Sequence, residues 1–188
     1  MPRIGIDGPE DSTARLNLHQ PTQHDLAALF KICSDPRVWA HYPARRHKEP
    51  EATSAMIARW ISGWETHELD TWVARSKDDG SILGYGGCSL LGAAVWNLGY
   101  RFSVEAQGRG LATELSNRAI ERAGSTGLGL PVVAYLLEHN YASAAVAEKL
   151  GLTLVHRGPD AGNPDSTAVR LIFADRPLTH DQMAIALH

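Results

Sequence analysis

Residues 105–115, with the sequence EAQGRGLATEL, constrain the fold more than any other part of the chain. Gly108 and Gly110 stand on either side of an arginine, directly before a run with apolar residues at helical spacing. Glycine adopts positive φ angles without steric cost, so the pair predicts a tight turn into a helix. One interpretation is a plain strand-to-helix connection. In the other, the unpaired N–H groups and the dipole of the first helical turn hold a phosphate.

Two common phosphate-binding motifs match this turn poorly. In GRGLAT, Thr113 stands where the dinucleotide-binding fingerprint has its third glycine, which normally allows close packing of helix on strand. Residues 103–107 also separate the turn from the preceding apolar run, whereas the fingerprint requires its glycines immediately after a strand. A nicotinamide oxidoreductase is therefore the weakest functional interpretation. The chain carries no P-loop signature.

A third pattern, Q-x-x-G-x-A, fits a pyrophosphate site better. It is formed here by Gln107, Gly110 and Ala112. Because Gly108 and Gly110 lack a Cβ atom, the backbone of the turn can come close to an anion. Arg109 would add positive charge at the rim. The residues thus favour a pyrophosphate-binding turn over a dinucleotide-binding fingerprint. A plain strand-to-helix turn without a ligand remains the alternative interpretation.

The remaining segments predict an α/β domain in the order β-α-α-β-β-β-α-β-α-β-β. Helices are expected after Thr22, at Pro50, after the glycine turn and before Gly151, and a short one in the tail at 179–188. Several neighbouring strands are joined by short turns, so much of the sheet should be antiparallel. The predicted strands are 14–19, 71–76, 81–91, 93–102, 130–137, 152–157 and 167–173.

Length and composition fit one ordinary domain. The chain has 188 residues and a net charge of −3, which argues against a globally basic nucleic-acid binder. Cys33 and Cys88 form no CxxC pair, which favours a reducing compartment and a cytoplasmic location, and we expect no metal site. No apolar run approaches the roughly 20 residues of a membrane span. We expect a flexible leader at 1–13, the domain at 14–175 and a tail at 176–188.

Two segments resemble a known family. LGYRFSVEAQGRGLATEL, residues 98–115, resembles motif A of the GNAT N-acetyltransferases, in the branch of the RimJ/RimL protein N-terminal acetyltransferases. EHNYASAAVAEKLGL, residues 138–152, is similar to a later signature of that branch, except that Leu152 replaces an aromatic residue. The resemblance covers residues 14–173. It implies a GNAT-like mixed, largely antiparallel sheet, split by a V-shaped cleft that binds acetyl-CoA and flanked by about four helices.

The resemblance also implies which residues hold the cosubstrate. The backbone of Phe102 and Val104 would pair with the pantetheine amides as an extra strand would. Asn140 would hydrogen-bond the pantetheine arm, although asparagine also suits the N-cap of the following helix. The pyrophosphate would be wrapped by Gln107, Gly108, Arg109, Gly110, Leu111, Ala112 and Thr113.

The family's reaction is a direct transfer, in which a neutral primary amine attacks the thioester carbonyl. Ser143 would lie near the sulfur and is a candidate to protonate the leaving thiolate. Many family members use a tyrosine a few residues later, but this chain has apolar residues there, and Tyr141 comes too early. Glu138, His139 and Tyr100 are candidates to take the proton of the amine. The missing tyrosine leaves open a non-catalytic sensor or scaffold that binds acyl-CoA.

In this family the first two helices and their joining loop recognise the acceptor. In residues 38–50, Trp39, His41 and Tyr42 are candidates to line the acceptor pocket. The basic residues 45–48 would attract an acidic substrate, although a charge run is more often a solvated face. The acceptor would be a protein N-terminus or a small-molecule amine, with neither nucleic acid nor membrane as partner. Homodimers are frequent in the family, and the apolar tail is a candidate interface.

Overall fold

A computed structural model of the chain describes residues 8–187, in which eight strands form one mixed sheet. The strands are β1 (Asp11–Ser12), β2 (Leu16–His19), β3 (Thr71–Ser76), β4 (Ile82–Leu91), β5 (Val95–Phe102), β6 (Val132–Leu137), β7 (Thr153–Pro159) and β8 (Val169–Ala174). Their order across the sheet is β1-β2-β3-β4-β5-β6-β8-β7. Every neighbouring pair is antiparallel except β5 and β6, which are parallel. The predicted fold class is therefore confirmed.

Five helices flank the sheet in the described part of the chain. They are α1 (Leu26–Cys33), α2 (Pro50–His67), α3 (Leu111–Gly124), α4 (Tyr141–Lys149) and α5 (His180–Leu187). A 3-10 turn at Gln23–Asp25 precedes α1, and the N–H of Thr22 donates to the Asp25 carboxylate over 2.8 Å, as the capping pattern predicts. None of these helices has the length and apolar character needed to cross a bilayer.

The helices divide between the two faces of the sheet. One apolar cluster joins α1 and α2 to the sheet, with Ile57, Val73 and Tyr85 in its centre. A larger cluster lies under α3 and α4 and includes the fully buried Trp72 and Trp96. Because successive strand residues face opposite sides, the β5 side chains at even positions face α3, and those at odd positions face the α1 and α2 side.

The sheet opens between β5 and β6, as the family resemblance implies. These strands pair only at Trp96 with Val132 and at Asn97 with Val133. Beyond that point β5 continues to Phe102 on β4, and β6 continues to Leu137 on β8. The facing edges of the two strands therefore diverge, and their backbone groups border a gap instead of a neighbouring strand.

The packed region extends past the predicted domain limits at both ends. Residues 11 and 12 pair with β2, and the Asp11 carboxylate accepts a 2.8 Å hydrogen bond from Arg118 of α3, so the sheet begins before residue 14. Residues 1–7 of the expected leader lie outside the described residues. At the other end α5 packs on β5 through the buried Ala186, and Ile185 lies against Gly92. The apolar tail thus covers its own sheet.

Candidate active site

Two cavities occupy the gap between β5 and β6. The turn cavity runs along the start of α3, past residues 106–108 and 110–113. The tyrosine cavity is lined by Tyr42, Asn97 and Tyr135 at its far end. The cavities meet at five residues that line both of them, which are His41, Tyr100, Arg101, Asn140 and Ser143.

The glycine turn has the backbone that its sequence predicts. The φ angles of Gly108 and Gly110 are 72° and 76°, in the left-handed region that favours glycine. A Cβ atom on Gly108 would meet nothing within 4 Å, and one on Gly110 would meet only the Arg15 guanidinium at 3.6 Å. No side chain caps α3 at Gly110, so the first N–H groups of the helix stand open to the turn cavity. The turn has both the donors and the space for an anion.

Arg15, which no sequence motif indicates, ties the glycine turn to the sheet. Its Nη1 donates to the carbonyl of Arg109 over 2.8 Å, and its Nε and backbone N–H bind the Glu114 carboxylate at 2.7 and 2.8 Å. Burial opposes ionisation of Glu114, but hydrogen bonds from Thr13 and Arg15 outweigh it and hold the pKa of that carboxyl below its usual value. The carboxylate therefore stays charged and keeps Arg15 in place under the turn.

The end of β5 departs in part from the expected extra-strand pairing. The Phe102 carbonyl accepts a 3.1 Å hydrogen bond from the Gln107 side chain, and Phe102 lines the turn cavity. Val104 lines neither cavity, because the backbone leaves the strand after Phe102 and forms a 3-10 turn at Val104–Ala106. Extended backbone for a pantetheine arm is thus available along β5 up to Phe102, but not at Val104.

Asn140 and Ser143 lie at the start of α4, and each of them lines the turn cavity and the tyrosine cavity. Asn140 is the N-cap of the helix, and its Oδ1 accepts a 3.2 Å hydrogen bond from the Ser143 N–H. Its Nδ2 has no partner among residues 8–187, so the capping role and a ligand-binding role are compatible. Tyr141, the next residue, is 76% exposed and lies outside both cavities.

Tyr100 faces Ser143 across the gap. Burial raises the pKa of Tyr100 above its ordinary value, and the Ser143 hydroxyl and the charge of Arg101 offset this only in part. The side chain is therefore a neutral phenol at pH 7. It can donate a proton there, but it is a poor candidate for the base that the sequence suggested.

The other candidate bases lie away from the meeting point. Glu138 lines neither cavity, because its carboxylate forms a 2.6 Å ion pair with Arg157 on the surface. His139 is exposed, and its Nε2 donates to the backbone carbonyl of His41 over 2.8 Å. Within residues 8–187, neither cavity is lined by an aspartate or a glutamate.

The three predicted acceptor residues have different positions. His41 and Tyr42 line the tyrosine cavity, whereas Trp39 is 8% exposed and lines neither cavity. The Trp39 ring instead supports Arg101, whose guanidinium carbon lies 3.7 Å from the ring centroid. Burial, followed by the charges of Arg101 and His139, lowers the pKa of His41 to about 4. His41 is therefore neutral at pH 7.

The basic residues 45–48 lie outside both cavities. The Arg45 guanidinium lies 5.5 Å from the ring centroid of Tyr42, on the exposed side of the loop. His47 is held by a 2.7 Å contact between its Nδ1 and the hydroxyl of Thr53 in α2. This stretch shapes the loop, and the positive charge that lines the tyrosine cavity comes from Arg101.

A family model described as an acetyltransferase (GNAT) domain matches residues 15–153. The chain belongs to the GNAT acetyltransferases. The matched range contains β2 to β6, the glycine turn, α4 and every residue at the meeting point of the two cavities. The chain is thus an N-acetyltransferase by family.

Similar proteins and structures are found at low sequence identity. The uncharacterized protein YkkB of Bacillus subtilis (strain 168) is 26% identical over 148 residues, which are 74% of this chain and 83% of YkkB. The microcin C7 self-immunity acetyltransferase MccE, solved with acetyl-CoA and AMP, has a TM-score of 0.73 at 16% identity and covers 93% of this chain and 98% of its own. RimL, a ribosomal L7/L12 alpha-N-protein acetyltransferase solved with coenzyme A, has a TM-score of 0.73 at 18% identity, with 90% and 97% covered. The two solved structures share the fold of this chain.

The GNAT motifs do not indicate the two arginines that organise this site. Arg15 precedes motif A by more than 80 residues, and nothing in its local sequence connects it to the glycine turn. The local sequence could have indicated Arg101, because it is a single charged residue inside the otherwise apolar strand segment LGYRF. A charge in that setting requires a nearby partner or a ligand.

Proposed function

We propose that this GNAT protein uses acetyl-CoA to acetylate a primary amine directly. One observation carries the proposal. The turn cavity, with its open helix start, meets the tyrosine cavity at Tyr100, Asn140 and Ser143 inside the gap of the sheet. A donor and an acceptor entering from the two cavities would meet there, and holding two reactants together supplies much of the catalysis of such a transfer.

The residues of the turn cavity fit a CoA molecule. The N–H groups at Leu111, Ala112 and Thr113 have no capping side chain and would bind the pyrophosphate. Arg101 and Lys149 line the same cavity and add positive charge, whereas Arg37, which also lines it, is paired with Asp35 at 2.6 Å. The exposed edge of β5 up to Phe102 and the Nδ2 of Asn140 would hold the pantetheine arm.

Bound acetyl-CoA supplies an acetyl thioester, which a neutral amine can attack. Tyr100, kept neutral by burial, would hold a proton at its hydroxyl and pass it, directly or through the Ser143 hydroxyl, to the departing thiolate. This pair would take the place of the tyrosine that many relatives carry in the helix equivalent to α4. We assign no proton transfer to Glu138, and the amine would lose its proton through water in the tyrosine cavity.

Calorimetric titration with acetyl-CoA tests the donor site. Gly110→Trp would place an indole in the space that the pyrophosphate requires, so micromolar binding by the wild type should be lost. Gly127→Trp is the matched control, because Gly127 has the same φ of 76° with nothing within 4 Å of its Cβ position and lies outside both cavities. Circular dichroism of both variants checks the fold. Equal binding by the two variants would contradict the proposal.

A non-catalytic acyl-CoA sensor is the second candidate, because Val146 and Ala147 occupy the part of α4 where relatives carry the catalytic tyrosine. Thiol release in the presence of primary amines separates the two. Release above the rate of hydrolysis supports the enzyme, and acetyl-CoA binding without release supports the sensor.

Three finer assignments belong to the same proposal. Membership of the RimJ/RimL-like branch is supported by the two sequence motifs and would make a protein N-terminus one acceptor to test. A cytoplasmic location is supported by Cys33 and Cys88, which are both free and buried. A homodimer stays a prediction for size-exclusion chromatography, and its interface would exclude the apolar face of α5, which covers β5.

A further inference from the structure

Arg101 carries a positive charge in the gap without a carboxylate opposite it. Its Nη1 lies 3.2 Å from the Val38 carbonyl and 3.3 Å from Nε2 of His41, and its guanidinium stacks on Trp39. Among residues 8–187, no aspartate or glutamate forms an ion pair with it. A guanidinium has five N–H donors in a fixed fork, and neutral partners leave its charge uncompensated.

Two other arginines that are partly or largely enclosed in this protein have acidic partners. The Arg170 side chain is 10% exposed and binds Asp160 at 2.6 Å, and the Arg75 side chain is 33% exposed and binds Asp25 at 2.6 Å. Burying a charge without a partner is costly, so these pairs follow the general rule. Arg101 departs from it at the one place where the two cavities meet.

The surroundings of Arg101 disfavour any further positive charge. Burial, followed by nearby positive charges, lowers the pKa of both His41 and His47, and Arg101 contributes to each shift. The charged residues that line the two cavities are Arg37, Arg101 and Lys149, all of them basic. Of these, only Arg101 lines the tyrosine cavity. That cavity is therefore complementary to a ligand with a negative group.

We infer that Arg101 binds a carboxylate of the acceptor, so that the preferred acceptor is an amino acid or similar molecule with an amine and a carboxylate together. The inference rests on the proposed acetyl transfer. Bidentate binding to an arginine fork would fix the carboxylate on the α1 and α2 side of β5. The amine of the same molecule would then point toward Tyr100 and Ser143, where the donor enters.

Paired probes test this inference, and the two members of each pair differ only in a carboxylate that is replaced by its amide. L-methionine is compared with L-methioninamide, and L-phenylalanine with its amide, for an α-carboxylate. The dipeptide amides Asp-Ala-NH2 and Asn-Ala-NH2 make the same comparison for a side-chain carboxylate at an N-terminus. Thiol release gives kcat/KM for each probe. The acid-to-amide ratio is then compared between variants, so that differences in amine pKa cancel.

We expect Arg101→Gln to lower the acid-to-amide ratio by about tenfold to a hundredfold, mainly through KM, as loss of a charge-assisted hydrogen-bond pair predicts. Arg101→Lys keeps the charge without the fork and should restore part of the ratio. Arg176→Gln removes an exposed arginine paired with Asp175 and should leave the ratio unchanged. Thermal unfolding of each variant checks the fold.

An equal loss of activity with acid and amide would overturn the inference. So would weaker acetyl-CoA binding by Arg101→Gln with an unchanged ratio, because Arg101 would then serve the donor. If acetyl-CoA binds but no amine is acetylated, the proposed function fails. Calorimetric binding of the acid probes to the CoA-loaded protein then decides the inference. Binding that Arg101→Gln abolishes supports it, and absent or unchanged binding overturns it.

Discussion

Replacing Tyr100 by phenylalanine tests the proposed proton donor directly. The substitution removes one hydroxyl and keeps the ring between β5 and α3. General acid catalysis contributes about 10²- to 10⁴-fold to such reactions. A thiol with a pKa of about 8.5 leaves readily even when unprotonated, so we expect an effect at or below the low end of that range. We expect kcat to fall about tenfold to a hundredfold, or about 1.4 to 2.7 kcal/mol, with acetyl-CoA affinity unchanged.

The pH profile separates a donor from a base. Because burial raises the pKa of Tyr100 above its ordinary value, the phenol stays protonated from pH 7 to 8.5. The ratio of wild-type to Tyr100→Phe rates should therefore be constant over that range. A ratio that rises with pH would show that the phenolate is the active form, and the donor assignment would be refuted.

Two further variants control for structural effects. Tyr141→Phe makes the same chemical change at a tyrosine that is 76% exposed, and it should leave kcat unchanged. Ser143→Ala should lower kcat less than Tyr100→Phe, and the double variant should lose less than the sum, because both hydroxyls serve one proton. A loss of stability without a loss of kcat would mean that Tyr100 has only a packing role.

Three other predictions follow from contacts in the structure. Gly63→Ala should destabilise the fold by about 1–2 kcal/mol in urea unfolding, because its Cβ would lie 2.0 Å from Oδ2 of the buried Asp70. This clash outweighs the higher helix propensity of alanine. Gly124→Ala is the control and should not destabilise the fold, because its Cβ would lie in open space. Arg15→Ala should weaken acetyl-CoA binding about fivefold in calorimetry through loss of the hydrogen bond to the glycine turn. Burial opposes ionisation of Asp160, but hydrogen bonds, including one from Arg170, outweigh it and lower the pKa of the carboxyl. The contribution of the ionised Asp160 to stability should therefore be present above pH 4 and lost as the pH falls below 4. Acid unfolding measures this loss, which Asp160→Asn should not show.

Features set by neighbouring residues could be predicted from the sequence. The predicted strand at 71–76 has the same limits as β3, since its β-branched and aromatic residues end at a turn signal. The cap at Thr22 and the positive φ at Gly108 and Gly110 also depend on short-range geometry alone. The cleft, in contrast, was expected only because residues 98–115 and 138–152 resemble a family whose sheet is split at this place.

Features set by distant residues could not be predicted in this way. Glu138 stands two residues from Asn140 and looks equally well placed in the sequence. Its position is decided by an ion pair with Arg157 of β7. In the sheet, β8 lies between β7 and β6, so the local sequence around Glu138 does not indicate this partner. Val104 continues an apolar strand pattern, yet the chain turns away after Phe102. The role of Arg101 depends on Trp39 and His41, which lie about 60 residues away in a loop with no regular pattern.

The charge pattern of the site links the donor and acceptor proposals. A site without a carboxylate in the described lining of its cavities cannot hold an ammonium ion by ion pairing, and the Arg101 charge further disfavours one. His41 cannot serve as an effective base either, because its pKa is about 4 and its Nε2 faces the Arg101 guanidinium, which only donates. The acceptor would therefore arrive as a neutral amine and be held by some other group. In this chain the group at the meeting point whose charge has no acidic partner is Arg101. A carboxylate on the acceptor would neutralise that charge, and a neutral amine places no second cation beside the thioester.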